Sequence, residues 1–319
     1  FGLEAQFVPM YETQLTKDWE YICEDSGTKV LLAANPEIYE KVKEFPKKLE
    51  KLEAVILLEG NADEQTLTYD TLLKKGQEQA TPSRKPDYES EMGMLYTSGT
   101  TGKPKGVLLT HHNALFIVSS ATQAFQLSHQ DRSLSFLPWA HSFGQLAEVH
   151  MLIKSGCSAG LVEDVTELVD DMALVKPTIF YAVPRVYNRI FDRLNGQIQE
   201  KPQIIQNLFR AGLKHAKRER EGETLGFPDS LTLTLARKII FKKILARFGG
   251  RMRIAVSGAS ALSAEVAEFV NDLGISVMEA YGLSENFAAL TGNLPGARKF
   301  GSVGRPLPGV RIEIDSFVE

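Results

Sequence analysis

One segment gathers more reactive side chains than any other. Between Thr97 and Gly106, the run Tyr96-Thr97-Ser98-Gly99-Thr100-Thr101-Gly102-Lys103-Pro104-Lys105-Gly106 holds four hydroxyls, three glycines and two lysines. Each type has a task at an anion. Glycines let the backbone N–H groups curl round it, hydroxyls donate further hydrogen bonds and lysines neutralise its charge. Because the apolar run Met94-Leu95-Tyr96 comes first and reads as a strand, Thr97, Ser98, Gly99, Thr100, Thr101, Gly102, Lys103 and Lys105 form a loop suited to a polyphosphate. It is not the Walker loop. That loop needs four residues between its first glycine and Gly-Lys-Ser/Thr, whereas two separate Gly99 from Gly102, and Pro104 follows Lys103. The plainer alternative, a Ser/Thr/Gly-rich surface turn, does not account for the preceding strand or for so many phosphate-binding groups together.

Other candidates lie further along. Glu285, at the end of an apolar run and one position after Ser284, has the chemistry to hold Mg²⁺ while the hydroxyl meets a phosphate. Taken alone it reads more readily as a solvated loop carboxylate, and only the flanking Tyr281-Gly282-Leu283-Ser284 reverses that. Tyr281 offers a ring on which a base can stack, and Gly258-Ala259-Ser260 a small-residue turn for the opposite face; an ordinary core tyrosine beside a glycine turn is the competing reading. His141, after Pro138 and Trp139, is a further hydrogen-bonding candidate, although a histidine beside aromatics is often simply packed.

The elements that would position these groups follow an α/β pattern. Strands are expected at Val30–Leu32 and Ala54–Leu58, with a helix around Trp19, Ile22 and Cys23 and another from Pro36 to Leu52. The polar stretch Gln77–Glu91 lacks a period and reads as a loop. Thr110 is a fitting N-cap for a helix through Val118. Further strands are expected at 133–137, 159–162, 178–182, 252–256 and 275–279, with a long helical region from Pro184 to Phe248 broken at Gly222–Pro228 and a helix after Ser263. Val310-Arg311-Ile312-Glu313-Ile314-Asp315 alternates apolar and charged residues, as a half-exposed strand does.

Composition bounds the function. With 319 residues, 43% of them hydrophobic, the chain can bury a large core. Its net charge of −4 argues against a general electrostatic grip on nucleic acid. Two cysteines, Cys23 and Cys157, build no disulfide framework and lack metal-ligand spacing, which suits a reducing, cytoplasmic setting. No run of about 18 apolar residues suggests a membrane span. The opening Phe1 and the charged end suggest an excised or processed chain.

Five ordered segments carry a resemblance. The 96–106 loop resembles the phosphate loop of the adenylate-forming superfamily of acyl-CoA synthetases, luciferases and peptide-synthetase adenylation domains. Pro138-Trp139-Ala140-His141-Ser142-Phe143-Gly144, Ser257-Gly258-Ala259-Ser260-Ala261-Leu262, Glu279-Ala280-Tyr281-Gly282-Leu283-Ser284-Glu285 and Gly301-Ser302-Val303-Gly304-Arg305-Pro306 are similar to the next motifs in family order. The resemblance implies an α/β fold, the N-terminal core of an adenylate-forming enzyme with parallel sheets flanked by helices. Residues 1–90 would be a βα part, 91–306 the nucleotide- and acyl-binding core and 307–319 the start of a small β unit. It assigns Gly258, Ala259, Ser260, Glu279, Ala280, Tyr281, Gly282 and Ser284 to the adenine side, Glu285 and Thr97 to the metal, and His141 and Glu285 to catalysis. A substrate-positioning role suits His141 better than a general base, since a fatty carboxylate is already ionised at neutral pH.

The resemblance also implies ATP, Mg²⁺ and coenzyme A as co-substrate, and a ligase that converts a fatty acid to acyl-AMP and then acyl-CoA. Pro184-Arg185-Val186-Tyr187 and the helical insertion after it are most similar to long-chain fatty acyl-CoA synthetases. Two departures keep the chemistry: Ser260 stands where proline is usual, and Ser284 where threonine is. The ribose-binding aspartate and the mobile C-terminal domain with its lysine are expected beyond Glu319, so the chain by itself is expected to adenylate poorly. The alternatives are an acyl-AMP ligase serving a carrier protein and a nucleotide- or lipid-binding fragment without turnover. Leu231–Arg253 carries seven basic residues and no acid, with Ile240, Phe241, Ile244, Leu245 and Phe248 on one helical face. It fits either a core-facing helix with a solvated basic side or a peripheral membrane contact.

Overall fold

The computed structural model describes residues 2–60, 63, 66–97 and 102–315. Its internal contacts divide the chain into two compact units, 1–114 and 115–319.

In the first unit, α1 (Thr16–Ser26) precedes β1 (Val30–Ala33), α2 (Pro36–Val42) and β2 (Ala54–Leu57), with β1 and β2 paired in parallel. Asn35 starts α2 by accepting the N–H of Ile38 at 3.0 Å. The expected helix to Leu52 stops at Val42, and a 3₁₀ turn takes over at Phe45–Lys47. Pro46 explains this, since it lacks an N–H and disfavours the α conformation at the residue before it. Trp19, Cys23, Leu31, Phe45 and Val55 form the core between these elements. After α3 (Tyr69–Glu78) and an extended segment, β3 (Glu91–Thr97) and β4 (Lys105–Thr110) form an antiparallel hairpin. Helix α4 (His111–Ala124) follows, begun as expected at Thr110: its hydroxyl accepts from Asn113 N (3.2 Å), and the Asn113 side chain accepts from Thr110 N (2.9 Å).

The second unit is built on a seven-stranded sheet. Its strands are β5 (Arg132–Ser135), β6 (Ser158–Leu161), β7 (Ile179–Ala182), β8 (Ile254–Ser257), β9 (Ser276–Tyr281), β10 (Thr291–Gly292) and β11 (Arg305–Pro306), in the order β11-β10-β9-β8-β7-β5-β6. The five from β5 to β9 are parallel, as expected of this α/β core, and β10 and β11 join antiparallel at one edge, so the sheet as a whole is mixed. Helix α5 (Ser142–Gly144) runs through a π-turn (Gln145–His150) into α6 (Met151–Ser155), and α7 (Leu168–Val175) connects β6 to β7.

The long helical region resolves into α8 (Pro184–Gln199), α9 (Gln203–Arg220), α10 (Phe227–Ala236), a π-turn at Arg237–Phe241 and α11 (Lys242–Arg247). Besides the expected break at 222–228 there is one before α9, where Pro202 interrupts the hydrogen-bond ladder. Helix α12 (Ala264–Asp272) starts at Ser263, whose hydroxyl accepts from Val266 N. Helices α7 to α12 bury one face of the sheet, with Phe180 and Val277 packed against Tyr187, Phe209, Phe241 and Val266. Ile240, Phe241, Ile244 and Phe248 belong to that core, so the basic stretch is a core-facing helix with a charged outer side.

Residues 310–315 form no strand, contrary to expectation. Apolar–polar alternation supplies a face but not a neighbour, and among the described residues no strand pairs with this segment.

Asp131 ties the strand starts together. Its carboxylate accepts from Arg253 Nε (2.8 Å) and Nη2 (2.7 Å), Thr178 Oγ1 (2.8 Å) and Ser128 N (3.0 Å), joining the residues before β5, β7 and β8. Burial pushes its pKa up, but hydrogen bonds from Arg253 and Thr178 outweigh it and hold the carboxyl at about 2.

Candidate functional site

Parallel strands place the loops after their carboxyl ends on one side of a sheet, the side where ligands of open α/β sheets bind. In the second unit three such loops meet at a cavity of about 130 Å³. The loop after β5 brings His141, the turn after β8 brings Gly258 and Ala259, and the end of β9 brings Ala280, Gly282 and Ser284. Phe125, Phe143, Leu146, Met151, Tyr181 and Val256 form its apolar walls. Six of the residues expected to act together therefore line one space.

The backbone here is tightly specified. A Cβ on Gly282 would lie 1.7 Å from the Ala288 carbonyl oxygen, and one on Gly258 would lie 3.1 Å from the Phe143 ring. Ala259 adopts φ +69°, a left-handed conformation uncommon for alanine, and so turns the chain sharply under the cavity rim. Ser142 and Ser284 approach to 3.3 Å between hydroxyl oxygens, linking the loop after β5 to the loop after β9.

His141 caps α5. Its Nδ1 accepts the N–H of Phe143 (3.1 Å), which leaves the ring proton on Nε2. Burial lowers its pKa, favouring the neutral ring. The imidazole is thus prepared as a hydrogen-bond donor and not as a cation.

Other expected residues lie outside this cavity's lining. Tyr281 is about half exposed (49%), with Ala280 and Gly282 on the cavity side of it. Strand alternation accounts for this. Ser260 is exposed. Glu279 braces the turn after β8, its Oε1 accepting from Leu262 N at 3.3 Å, and burial raises its pKa against the backbone N–H groups of Leu262 and Gly301. Glu285 is exposed in a 3₁₀ turn, one residue beyond Ser284. Among the described residues no group of three or more His, Cys, Asp or Glu could hold a metal. A single exposed carboxylate fits Mg²⁺ that arrives with a nucleotide, its shell completed by phosphates and water, and not a protein cage.

In the first unit, the phosphate-loop candidate connects β3 to β4, with Thr97 opposite Lys105 at its base. Ser98, Gly99, Thr100 and Thr101 lie outside the described residues. Gly102 takes φ +138°, which strongly favours glycine. Lys103 Nζ lies 4.7 Å from the Tyr21 ring centre, and the Tyr21 hydroxyl donates to Pro104 O (3.2 Å).

The sequence reading missed Glu148. It is buried on the π-turn, and burial pushes its carboxyl up to about 7 although four neighbouring hydrogen-bond donors pull the other way. The only signal was one acid inside the apolar run Leu146–Ile153. Phe125, Met151 and Tyr181 were missed for another reason: apolar and aromatic residues on buried strands and helices look like core until the cavity is seen.

Comparison with known proteins supplies the family. The profile of the AMP-binding enzyme family matches residues 1–316. The peroxisomal long chain acyl-CoA synthetase 7 of Arabidopsis thaliana is 30% identical over 322 residues, covering 96% of this chain and 44% of its own length. Long-chain-fatty-acid–CoA ligase 1 of Cavia porcellus is 30% identical over 328 residues, with 97% and 46% covered. Among solved structures, the anthranilate CoA ligase AuaEII in complex with anthranoyl-AMP superimposes with a TM-score of 0.69 at 20% identity, covering 94% of this chain and 49% of that one. The long-chain-fatty-acid-CoA ligase FadD1 of Archaeoglobus fulgidus gives 0.64 at 21% identity, with 94% and 52% covered. At such identities the structures share the fold, that of the N-terminal part of adenylate-forming enzymes. The chain spans about half the length of the curated relatives it matches. On the profile match over nearly its whole length, the chain belongs to the AMP-binding enzyme family.

Proposed function

We propose that the protein containing this chain activates a long-chain fatty acid with ATP. The carboxylate attacks the α-phosphorus, acyl-AMP forms and pyrophosphate leaves; the acyl group then passes to the thiol of coenzyme A, releasing AMP. The observation that carries this reading is the convergence of His141, Gly258, Ala259, Ala280, Gly282 and Ser284 on one apolar-walled cavity at the carboxyl ends of parallel strands. A cavity of about 130 Å³ is close to the ~150 Å³ that admits a benzene-sized guest, room for the carboxyl end and first carbons of an acyl chain.

In this reading the neutral His141 donates from Nε2 to a carboxylate oxygen and orients it for attack, without taking a proton. The turns after β8 and β9 take the adenine side, with Tyr281 as the stacking ring. The hydroxyls and lysines of the 97–106 loop neutralise phosphate charge. Mg²⁺, when bound, supplies further charge neutralisation on the phosphates, with Glu285 and Thr97 as the residues to hold it. Fatty-acid-dependent ATP–pyrophosphate exchange tests activation, and coenzyme A consumption then separates a CoA ligase from an enzyme that serves a carrier protein. A protein that binds nucleotide or fatty acid yet supports no exchange would be a binding module.

Peripheral membrane contact is a proposal of the same kind. No helix among the described residues is long and apolar enough to cross a membrane. Phe227, Leu231, Leu235 and Ile239 are all exposed at four-residue spacing, and the π-turn, wider than an α-turn, keeps Ile239 in line with Leu235. Exposed Lys238, Lys242 and Lys243 border this stripe. Apolar side chains flanked by lysines suit an anionic bilayer, from which a fatty acid would be drawn.

A further inference from the structure

Glu148 sits where an ionisable group is expensive. It is 3% exposed, and among the described residues no salt bridge reaches it; its hydrogen-bond partners are neutral donors from one short segment. Oε2 accepts from the Ser135 hydroxyl (2.5 Å) and Leu137 N (3.0 Å), and Oε1 accepts from Phe136 N (3.1 Å). These three residues end β5 and lead directly into Pro138-Trp139-Ala140-His141. The Trp139 indole also favours the ionised carboxyl.

The rest of the loop closes back onto the same helix. Pro138 O accepts from His141 N (3.0 Å), and His141 O accepts from Gln145 N (3.0 Å). A Cβ on Gly144 would lie 2.3 Å from Pro138 O, so helix and turn are in backbone contact. Strand end, turn and helix therefore form a ring that Glu148 completes. The π-turn changes the direction of residues 145–150 relative to a regular helix, a distortion often found at functional sites. Three donors need both carboxylate oxygens. Glutamine has the same length but only one oxygen, and its NH₂ would face a donor.

We propose that Glu148 is a positioning residue: by holding Ser135, Phe136 and Leu137 it fixes the loop that presents His141 to the substrate carboxylate. This rests on the role given to His141 under Proposed function. A brace that served only folding would affect all ligands alike, whereas a brace for His141 governs the preference for a carboxylate over an uncharged head group.

The test compares a fatty acid with the fatty alcohol of equal length, binding to the intact chain and to Glu148→Gln, Ser135→Ala and His141→Ala variants. The His141 ring nitrogens are followed by ¹⁵N NMR. Wild type should prefer the acid, and His141→Ala should lose that preference. Glu148→Gln should reduce it roughly tenfold with alcohol affinity little changed, the scale of one charge-assisted hydrogen bond. It should also shift the His141 nitrogen signals. Ser135→Ala, which removes one donor and leaves the backbone bonds, provides a milder variant if Glu148→Gln does not fold, and should move both readouts in the same direction. A preference lost in His141→Ala but intact in folded Glu148→Gln or in Ser135→Ala, with unshifted His141 signals, overturns this proposal alone. No acid preference in wild type overturns it together with the role given to His141.

Discussion

Replacing Asp131 with Asn removes the charge that ties the starts of β5, β7 and β8 together. Asn retains one acceptor oxygen but turns an NH₂ toward groups that all donate, Arg253, Thr178 and the backbone N–H of Ser128. The magnitude follows from linkage. The Asp131 pKa falls from 3.8 to about 2 in the folded chain, worth about 2 kcal/mol at neutral pH. Because the folded pKa is depressed, that stability is present above pH 3.8 and is lost as pH falls through 2. At pH 3 about half remains, roughly 1 kcal/mol. Arg253 is partly exposed and can rehydrate, which keeps the loss below the 3–5 kcal/mol typical of breaking a fully buried pair. Urea unfolding of wild type and Asp131→Asn at pH 7, 5 and 3 measures the difference directly, and titrations shared by both chains cancel. A stability gap that stays constant or widens toward pH 3 would refute the argument.

Three further outcomes are expected. Gly282→Ala forces a Cβ against the Ala288 backbone and should cost about 3 kcal/mol, read as a lowered Tm together with weaker ligand binding; a wild-type Tm would show that the turn can move freely. Lys103→Ala combined with Thr100→Ala should weaken ATP binding by roughly tenfold through lost charge-assisted hydrogen bonds, and unchanged affinity in the folded double variant would remove the loop from phosphate binding. Reversing Lys238, Lys242 and Lys243 to Glu should lower co-sedimentation with vesicles containing phosphatidylserine by at least tenfold at low salt without altering binding to neutral vesicles. Equal binding of wild type and variant to both kinds of vesicle would leave the exposed stripe without a membrane role.

What could be read from residues alone was whatever local rules decide. Strand runs such as Ile179–Ala182, caps such as Thr110 and Ser263, and breakers such as Gly222 behave as their side chains dictate, and each lies where expected. Helix α2 was overestimated because Ile38, Val42, Phe45 and Leu49 keep an apolar period across Pro46, and the ring of proline overrides periodicity. Val310–Asp315 was overestimated for the reverse reason: alternation is local, but pairing depends on a second strand. At the site, the small residues Gly258, Ala259 and Gly282 were legible because tight turns demand them. Glu148 was not, since a helical acid carries no trace of the strand end it binds 11 to 13 positions earlier. Tyr281 illustrates a third limit, for its ring and its neighbours Ala280 and Gly282 point to opposite sides of one strand.

Activation of a fatty carboxylate is the claim on which the rest turns. The most direct measurement is ATP–pyrophosphate exchange by the full-length protein that contains this chain, with and without a long-chain fatty acid, alongside the same protein carrying His141→Ala. The account predicts exchange only when the acid is present and a large loss of it in the variant. Exchange independent of any carboxylic acid, or none with any fatty acid while ATP still binds, would contradict it.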